Sequence, residues 1–168
     1  MSSVWAIIAD EMSAAAVAGV ALRSGASAKA LVFGPSGLAD RVACFDLESV
    51  THYDADKALP EAMAGTIAKR AEQEKPVAVV SSDSATSRAL LGPVAVALGA
   101  AVTGKVIAVK VDGDAATVER LVADGEAVDV LAAPGSVVCT IADGVDEAEA
   151  SESVVVSEGA FDEDARIK

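Results

Sequence analysis

Residues 77–99 read VAVVSSDSATSRALLGPVAVALG and predict an apolar strand, a polar loop and then a helix with an apolar face. In an open parallel sheet, ligands collect at the carboxyl ends of the strands, because helix N-termini there offer unpaired backbone N–H groups and a partial positive charge. The loop at 82–87, rich in serine with aspartate and threonine, has this position. We therefore expect a ligand, where the chain binds one, to contact this loop.

The residues before this stretch alternate between predicted strands and predicted helices. Residues 3–9 form a continuous apolar run typical of a strand buried on both faces, and Asp10 and Ser13 offer capping oxygens to the Ala-rich helix that follows. A further strand is predicted at 28–34, and residues 59–75 indicate an amphipathic helix. Such alternation implies right-handed crossovers and a mostly parallel sheet covered on both faces, which is an α/β three-layer sandwich.

The pattern changes after Gly99, where apolar segments are separated by turns rich in glycine and aspartate. The sequences VDGD at 111–114 and ADGE at 123–126 are strong hairpin signals. We expect these segments, together with SVVCTIAD at 136–143, to add antiparallel strands at one edge of the sheet.

The last part of the chain is acidic. Between Asp143 and Asp164 there are nine acidic residues and no basic one, and valines at 154–156 interrupt the run. We interpret this part as an acidic tail that contains one short strand. The predicted organisation is therefore one α/β domain over residues 1–150, followed by a tail over residues 151–168.

The charge of the whole chain limits the partners that it can bind. The 168 residues carry 26 acidic and 13 basic side chains, a formal net charge of −13. Because such a surface repels the phosphates of nucleic acids and of anionic lipids, we expect neither nucleic-acid binding nor membrane binding. The N-terminus lacks the features of a signal peptide, and Cys44 and Cys139 lie far apart without a metal-ligand pattern. We expect two reduced core thiols and a cytoplasmic protein.

The helix start Ser87–Arg88 and the segment RLVADGEAVDVLAAPGSVVCTIADG at 120–144 carry a family resemblance. Over nearly its whole length, the chain resembles the N-terminal domain of the electron transfer flavoprotein alpha subunit. The family pattern has an arginine near the start of a strand, a glycine-containing turn, and an apolar strand that leads to a threonine. Arg120, Gly125 and Thr140 stand at those places. The resemblance implies an adenine nucleotide alpha hydrolase-like fold.

Members of this family continue into a second domain that holds FAD, and this sequence ends at Lys168 without loops of that kind. The resemblance therefore implies that this chain alone binds no FAD, and that a partner or a missing domain holds the flavin. The chain is either one domain of a larger protein or a stand-alone relative, and Met1 and the charged end DEDARIK favour the second interpretation. The implied partner is an electron transfer flavoprotein beta-like subunit or a second copy in a homodimer.

The resemblance also implies a second candidate function. The beta subunit of these flavoproteins binds AMP at the equivalent strand end, and Asp83, Thr86 and Ser87 sit comparably here. The loop lacks glycine, which makes close backbone approach to a phosphate harder, so helix capping by Ser84 or Ser87 is the competing explanation. Arg88 at a helix start opposes the macrodipole, which indicates a partner such as Asp83 or a ligand anion. The candidate cofactor-binding residues are Asp83, Ser84, Thr86, Ser87 and Arg88.

Patterns for catalysis are weak. His52, the only histidine, lies at a predicted strand end, and no G-x-S-x-G nucleophile elbow occurs in the chain. We interpret His52 as a surface or strand-end residue and predict no catalytic residue. Two functional hypotheses remain. The first is a non-catalytic scaffold and docking domain, an electron-carrier component related to the alpha subunit. The alternative is an AMP-type binding domain without a redox role.

Overall fold

The computed structural model of the chain describes residues 1–160, which form a nine-stranded sheet flanked by four α-helices. The strands are β1 (Ser3–Ile8), β2 (Ser27–Gly34), β3 (Ser49–Asp54), β4 (Ala78–Ser81), β5 (Ala101–Asp112), β6 (Ala115–Val122), β7 (Ala127–Ala133), β8 (Val137–Ile141) and β9 (Val156–Glu158). The α-helices are α1 (Ala14–Leu22), α2 (Ser36–Val42), α3 (Ala64–Glu74) and α4 (Ala85–Leu98), and short 3-10 helices lie at Pro60–Met63 and Ala123–Gly125.

The strand order across the sheet is β7-β6-β5-β8-β4-β1-β2-β3-β9. All neighbouring strands in the part of the sheet ordered β5-β8-β4-β1-β2-β3-β9 are parallel. The pairs β5 with β6 and β6 with β7 are antiparallel. The chain runs from β1 outward to β3 and then returns to β4 on the other side of β1, so the switch point of the topology lies between β1 and β4. The predicted α/β architecture, mostly parallel with antiparallel strands at one edge, is confirmed.

Two hydrophobic cores lie on opposite faces of the sheet, and β1 contributes to both. Its side chains alternate between the faces because successive residues of a strand point in opposite directions. Val4, Ala6 and Ile8 pack with α1 and α2, whereas Trp5 and Ile7 pack with α3 and α4. A continuous apolar run is what such an interior parallel strand requires.

The antiparallel strands follow the two predicted hairpin signals. A two-residue loop joins β5 to β6, with Gly113 at a φ of 61° and Asp112 paired with Ala115. The turn between β6 and β7 uses Ala123 and Asp124 at φ values of 50° and 54°. Both hairpins are therefore confirmed.

The predicted place of residues 136–143 is wrong. β8 does not extend the antiparallel edge but lies inside the sheet, parallel to both β4 and β5. Val137, Val138 and Cys139 are all buried, and they contribute to both cores. A strand that is apolar on both faces is stabilised most where both faces are covered, which favours the interior over the edge.

Two helices differ from their predicted bounds. Residues 59–75 divide into the 3-10 helix Pro60–Met63 and the helix α3, and a proline occupies the first position of the 3-10 helix. Helix α4 begins at Ala85, two residues earlier than predicted, and continues through the exposed Pro93. Within residues 1–160, no helix combines the length and the apolar character needed to cross a membrane.

The acidic segment packs against the domain before it reaches the sheet. Ala148 donates a backbone hydrogen bond to Ala15 of α1 at 2.8 Å, and Val154 donates one to Ala43 at 2.9 Å. β9 then pairs with β3, which confirms the short strand and places it at 156–158. The boundary between residues 150 and 151 stays a prediction, and the end of the predicted tail, residues 161–168, lies outside the described residues.

Candidate functional site

The loop between β4 and α4 caps the helix that it precedes. Ser84 is the N-cap residue, and its Oγ accepts a hydrogen bond from the backbone N–H of Ser87 at 3.1 Å. This bond satisfies one of the N–H groups that a helix leaves unpaired at its start. Capping by Ser84, the explanation that competes with ligand binding, is confirmed.

A chain of hydroxyl groups connects this cap to β1. Ser84 Oγ donates to Ser87 Oγ at 2.9 Å, and Ser87 Oγ lies 2.9 Å from Ser82 Oγ. Ser82 Oγ in turn donates to Asp10 Oδ2 at 2.9 Å. Because β1 and β4 are neighbouring parallel strands, Asp10 and Ser82 meet at the switch point. Asp10 is not among the site residues predicted from the sequence, although its position directly after a buried strand is a usable signal.

The carboxylate of Asp10 also stabilises the turn that precedes α1. It accepts the backbone N–H of Ser13 at 2.8 Å and the Ser13 hydroxyl at 2.7 Å. Burial raises the pKa of Asp10, but the hydrogen bonds from Ser13, Ser82 and the Met12 backbone outweigh burial and lower the pKa overall. A fixed negative charge therefore occupies the start of α1, the place where an anionic ligand would bind.

The other predicted residues of the loop are engaged at the surface. Arg88 Nη1 lies 3.6 Å from Asp83 Oδ1, with the two side chains 64% and 60% exposed, so Asp83 is the partner of Arg88 that the sequence indicated. Thr86 donates to Glu61 Oε1 at 3.2 Å. Each of these side chains already has a protein partner.

A crevice of about 450 Å³ opens at the switch point, between residues that follow β1, β4 and β8. We call it the switch-point crevice. Its charged lining residues are all acidic: Asp10, Asp83, Asp143 and Glu147. Four carboxylates produce a negative potential, which disfavours a phosphate.

A second cavity, of about 440 Å³, lies beside α4 against β5 and β8. We call it the α4 cavity. Leu91, Val102 and Val138 contribute to its apolar lining, and Arg88 and Arg120 also line it. Of the predicted site residues, Asp83 and Ser84 line the crevice, Asp83 and Arg88 line the α4 cavity, and Thr86 and Ser87 line neither.

Arg120, which the resemblance singled out, joins three strands. Its guanidinium donates to Asp129 Oδ2 on β7 at 3.1 and 3.2 Å and to Thr103 Oγ1 on β5 at 3.2 Å. Arg120 lies near the end of β6 and not near the start of a strand, because the tight turn after β5 lets β6 begin at Ala115. Gly125 lies in the expected turn.

The histidine and the cysteines differ in part from expectation. His52 lies within β3 with 4% of its surface exposed, so its interpretation as a surface residue is wrong. Both cysteines are free, and burial raises the pKa of Cys139 to about 12. Cys139 is the predicted core thiol, whereas Cys44 is only half-buried. Residues 1–160 contain no group of three or more His, Cys, Asp and Glu side chains that could hold a metal ion.

Comparison with known proteins agrees with this architecture. The family model of the electron transfer flavoprotein domain matches residues 5–164. The match includes most of β1, the loop after β4, Arg120 and β8, and it covers every residue that lines the crevice and the α4 cavity. A search of the curated proteins finds no match. The chain therefore belongs to the electron transfer flavoprotein domain family.

Proposed function

We propose that this chain is a docking scaffold in flavin-linked electron transfer that binds a partner subunit through its antiparallel strands. Membership of the family supports the role in electron transfer. The observation that carries the docking role is the exposed apolar surface of β7. The candidate partners are a beta-like subunit of the same family and a second copy of the chain.

The exposed side of β7 is apolar and lacks a covering helix. Leu131 is paired with the buried Val118, which faces the core under α1. Val128 and Val130 therefore point to the opposite side of the sheet, where 53% and 60% of their surfaces are exposed. Val102, 70% exposed, is paired with Val138 on this same side. The three exposed valines share this side of the sheet, which favours its use as a binding surface.

The free edge of β7 adds a second docking feature. β7 pairs with β6 alone, at seven positions without a register shift. Neither lysine nor proline interrupts Ala127–Ala133, although these residues commonly protect edge strands from pairing. An incoming strand can therefore gain backbone hydrogen bonds and cover the exposed valines together.

Light scattering on the purified chain, alone and mixed with a beta-type subunit from the same organism, tests the docking role. We expect a complex in at least one of the two samples. Val130→Lys should weaken it at least about tenfold, because the variant removes apolar contact area and places a charge in the interface. Val155→Lys is the matched control, since Val155 is 90% exposed in the acidic tail. Monomers in both samples at every concentration would refute the docking proposal.

Neither the switch-point crevice nor the α4 cavity fits FAD. The switch-point crevice presents four carboxylates and no lysine or arginine to a pyrophosphate. The arginines of the α4 cavity are already paired, Arg88 with Asp83 and Arg120 with Asp129. We therefore propose that the flavin is held outside residues 1–160, and we expect a colourless purified chain. Stoichiometric flavin absorbance after purification would contradict this expectation.

The second candidate function is adenine-nucleotide binding in the switch-point crevice. The observation that favours it is the position of the crevice between β1 and β4, where sheets of this kind bind ligands. The carboxylates oppose a phosphate, so we expect the nucleoside part to supply any affinity.

Titration with AMP and with adenosine tests this candidate through the amide signals of residues 82–88. If the crevice binds the nucleoside part, adenosine shifts these signals at least as strongly as AMP. Unchanged signals with both compounds at about 1 mM, the weak end of useful affinity, would refute nucleotide binding. The docking proposal does not depend on this result.

A reducing compartment suits the proposed function. Cys44 and Cys139 are both free, and Cys139 is fully buried. Free thiols persist where glutathione and thioredoxin keep them reduced. We therefore propose the cytoplasm as the location of the protein.

A further inference from the structure

Few contacts hold β9 on the edge of the sheet. It pairs with β3 at three positions. The backbone N–H of Gly159 donates to the His52 carbonyl at 2.7 Å, and Ser157 Oγ donates to the Val50 carbonyl at 3.2 Å. Ser157 Oγ also donates to Thr51 Oγ1 at 3.5 Å. A further side-chain contact joins His52 Nδ1 to Glu158 Oε1 at 3.0 Å. Because the strand is so short, the contact between His52 and Glu158 is one of only a few that attach its described residues to β3.

Both ring nitrogens of His52 face oxygen atoms that can only accept hydrogen bonds. Nε2 lies 2.7 Å from the Gly34 carbonyl of β2, and Nδ1 lies 3.0 Å from the Glu158 carboxylate of β9. A neutral imidazole has one N–H, so one of these oxygens would then face a lone pair. Only the protonated ring donates to both.

The charged groups near His52 favour its protonated form. Glu158 faces it from β9, and Asp54 lies at the end of its own strand, where Lys57 pairs with Asp54 at 3.6 Å. β2 contributes an uncharged carbonyl. α2 packs on this part of the sheet through buried apolar residues, and its charged residues Asp40 and Arg41 are exposed.

We propose that β9 is a proton-dependent strap, which protonated His52 holds on β3 and which detaches when His52 loses a proton. The proton leaves from Nδ1, because Glu158 is 65% exposed and can turn into water. The Gly34 carbonyl is fixed in the sheet and keeps the remaining N–H on Nε2. Detachment exposes the edge of β3 to a strand of another chain.

The electrostatics give the direction of the pH dependence. Burial lowers the pKa of His52, but the hydrogen bonds to Gly34 and Glu158 and the charges of Glu158 and Asp54 raise it overall, above the ordinary value of 6.5. A raised folded-state pKa means that the stabilisation is complete below pH 6.5 and is lost as the pH rises through the raised value. The strap is therefore closed in acid and opens toward alkaline pH.

Gly159 offers a way to open the strap without a change of pH. A Cβ atom at this position would lie 2.6 Å from Cδ1 of Tyr53. The Tyr53 ring cannot move aside easily, because it is buried, stacks on Phe33 and receives a hydrogen bond from Arg70. Gly159→Ala should therefore displace the strap at every pH and give the reference spectrum of the open form.

Nuclear magnetic resonance of the whole labelled chain, from about pH 5 to about pH 8, tests the proposal in the range where histidine titrates. We expect His52 to titrate above pH 6.5, and the amide signals of residues 157–159 to move toward the Gly159→Ala spectrum with the same midpoint. His52 signals that titrate while these amides stay unchanged would overturn the proposal, and so would the absence of a His52 titration.

Two variants separate the strap from a general effect of charge. Glu158→Gln should lower the His52 midpoint and open the strap at a lower pH, and the variant should fold because Glu158 is exposed. Glu152→Gln is the matched control, since it removes the same charge from an exposed position of the same segment. Equal midpoints in the two variants would refute the role of Glu158. His52→Gln should abolish the pH-dependent step of residues 157–159.

Discussion

The two edges of the sheet carry the same kind of contact with different chemistry. At one edge, Arg120 of β6 pairs with Asp129 of β7 at 3.1 Å; at the other, His52 of β3 pairs with Glu158 of β9 at 3.0 Å. β7 adds seven paired positions to its ion pair, whereas β9 adds three. Arginine side chains in proteins generally stay charged, whereas histidine side chains change their charge near neutral pH. In our two proposals, the long edge therefore stays paired and binds a partner, whereas the short edge detaches and serves regulation.

The largest difference between the edges should appear in their packing. Val118→Ala in β6 removes a fully buried side chain and should lower the free energy of unfolding by about 2 kcal/mol. Val156→Ala in β9 should cost less than about 1 kcal/mol, because Val156 is only partly buried. Denaturant unfolding, followed by the fluorescence of the single buried Trp5, measures both values. Equal losses in the two variants would contradict this difference between the two edges.

The centre of the sheet should respond to pH in the opposite direction from the β9 edge. Asp10→Asn removes a charged acceptor from Ser13 and Ser82 and should cost about 1–2 kcal/mol at neutral pH. Because the folded-state pKa of Asp10 is lowered, its stabilisation is present above pH 3.8 and is lost as the pH falls through the lowered value. Unfolding curves of the native chain and the variant should therefore converge in acid. A difference that persists at the lowest pH would count against an ionised Asp10.

The smallest effect concerns the permanent ion pair. A double-mutant cycle with Arg120→Gln and Asp129→Asn should give a coupling of roughly 0.2–1 kcal/mol, because both side chains are more than a third exposed. We expect this coupling to fall with added salt and to stay constant between about pH 6 and about pH 9, in contrast to the contact of His52 with Glu158. A pH-dependent coupling would remove the contrast with His52 and Glu158.

The sequence predicted the features that depend on neighbouring residues. The cap at Ser84 and the hairpin at VDGD follow from residue types within a few positions, and both are confirmed. The apolar runs of β1 and β4 similarly identify interior strands of the parallel sheet.

The missed features depend on residues that are distant in the chain. Ser82 and Asp10 are 72 residues apart, and His52 and Glu158 are 106 apart, so no local pattern connects them. The burial of His52 follows from the arrival of β9, which its own flanking residues do not encode. The place of β8 depends on the order of strands, which hydrophobic periodicity does not determine.

The interior position of β8 restricts the order in which the chain can assemble. β5, β6 and β7 are contiguous in sequence and can pair locally, but β5 reaches the parallel strands only through β8, which is synthesised after all three. The pairing of β8 with β4 closes a loop that contains α4 and the whole antiparallel unit. Long-range closures of this kind carry an entropic cost and slow folding. The antiparallel unit that we propose for docking is therefore the last large part of the chain to join the sheet during biosynthesis. Until β8 pairs with β5, the exposed valines of this unit and the unpaired edge of β5 are accessible to other chains.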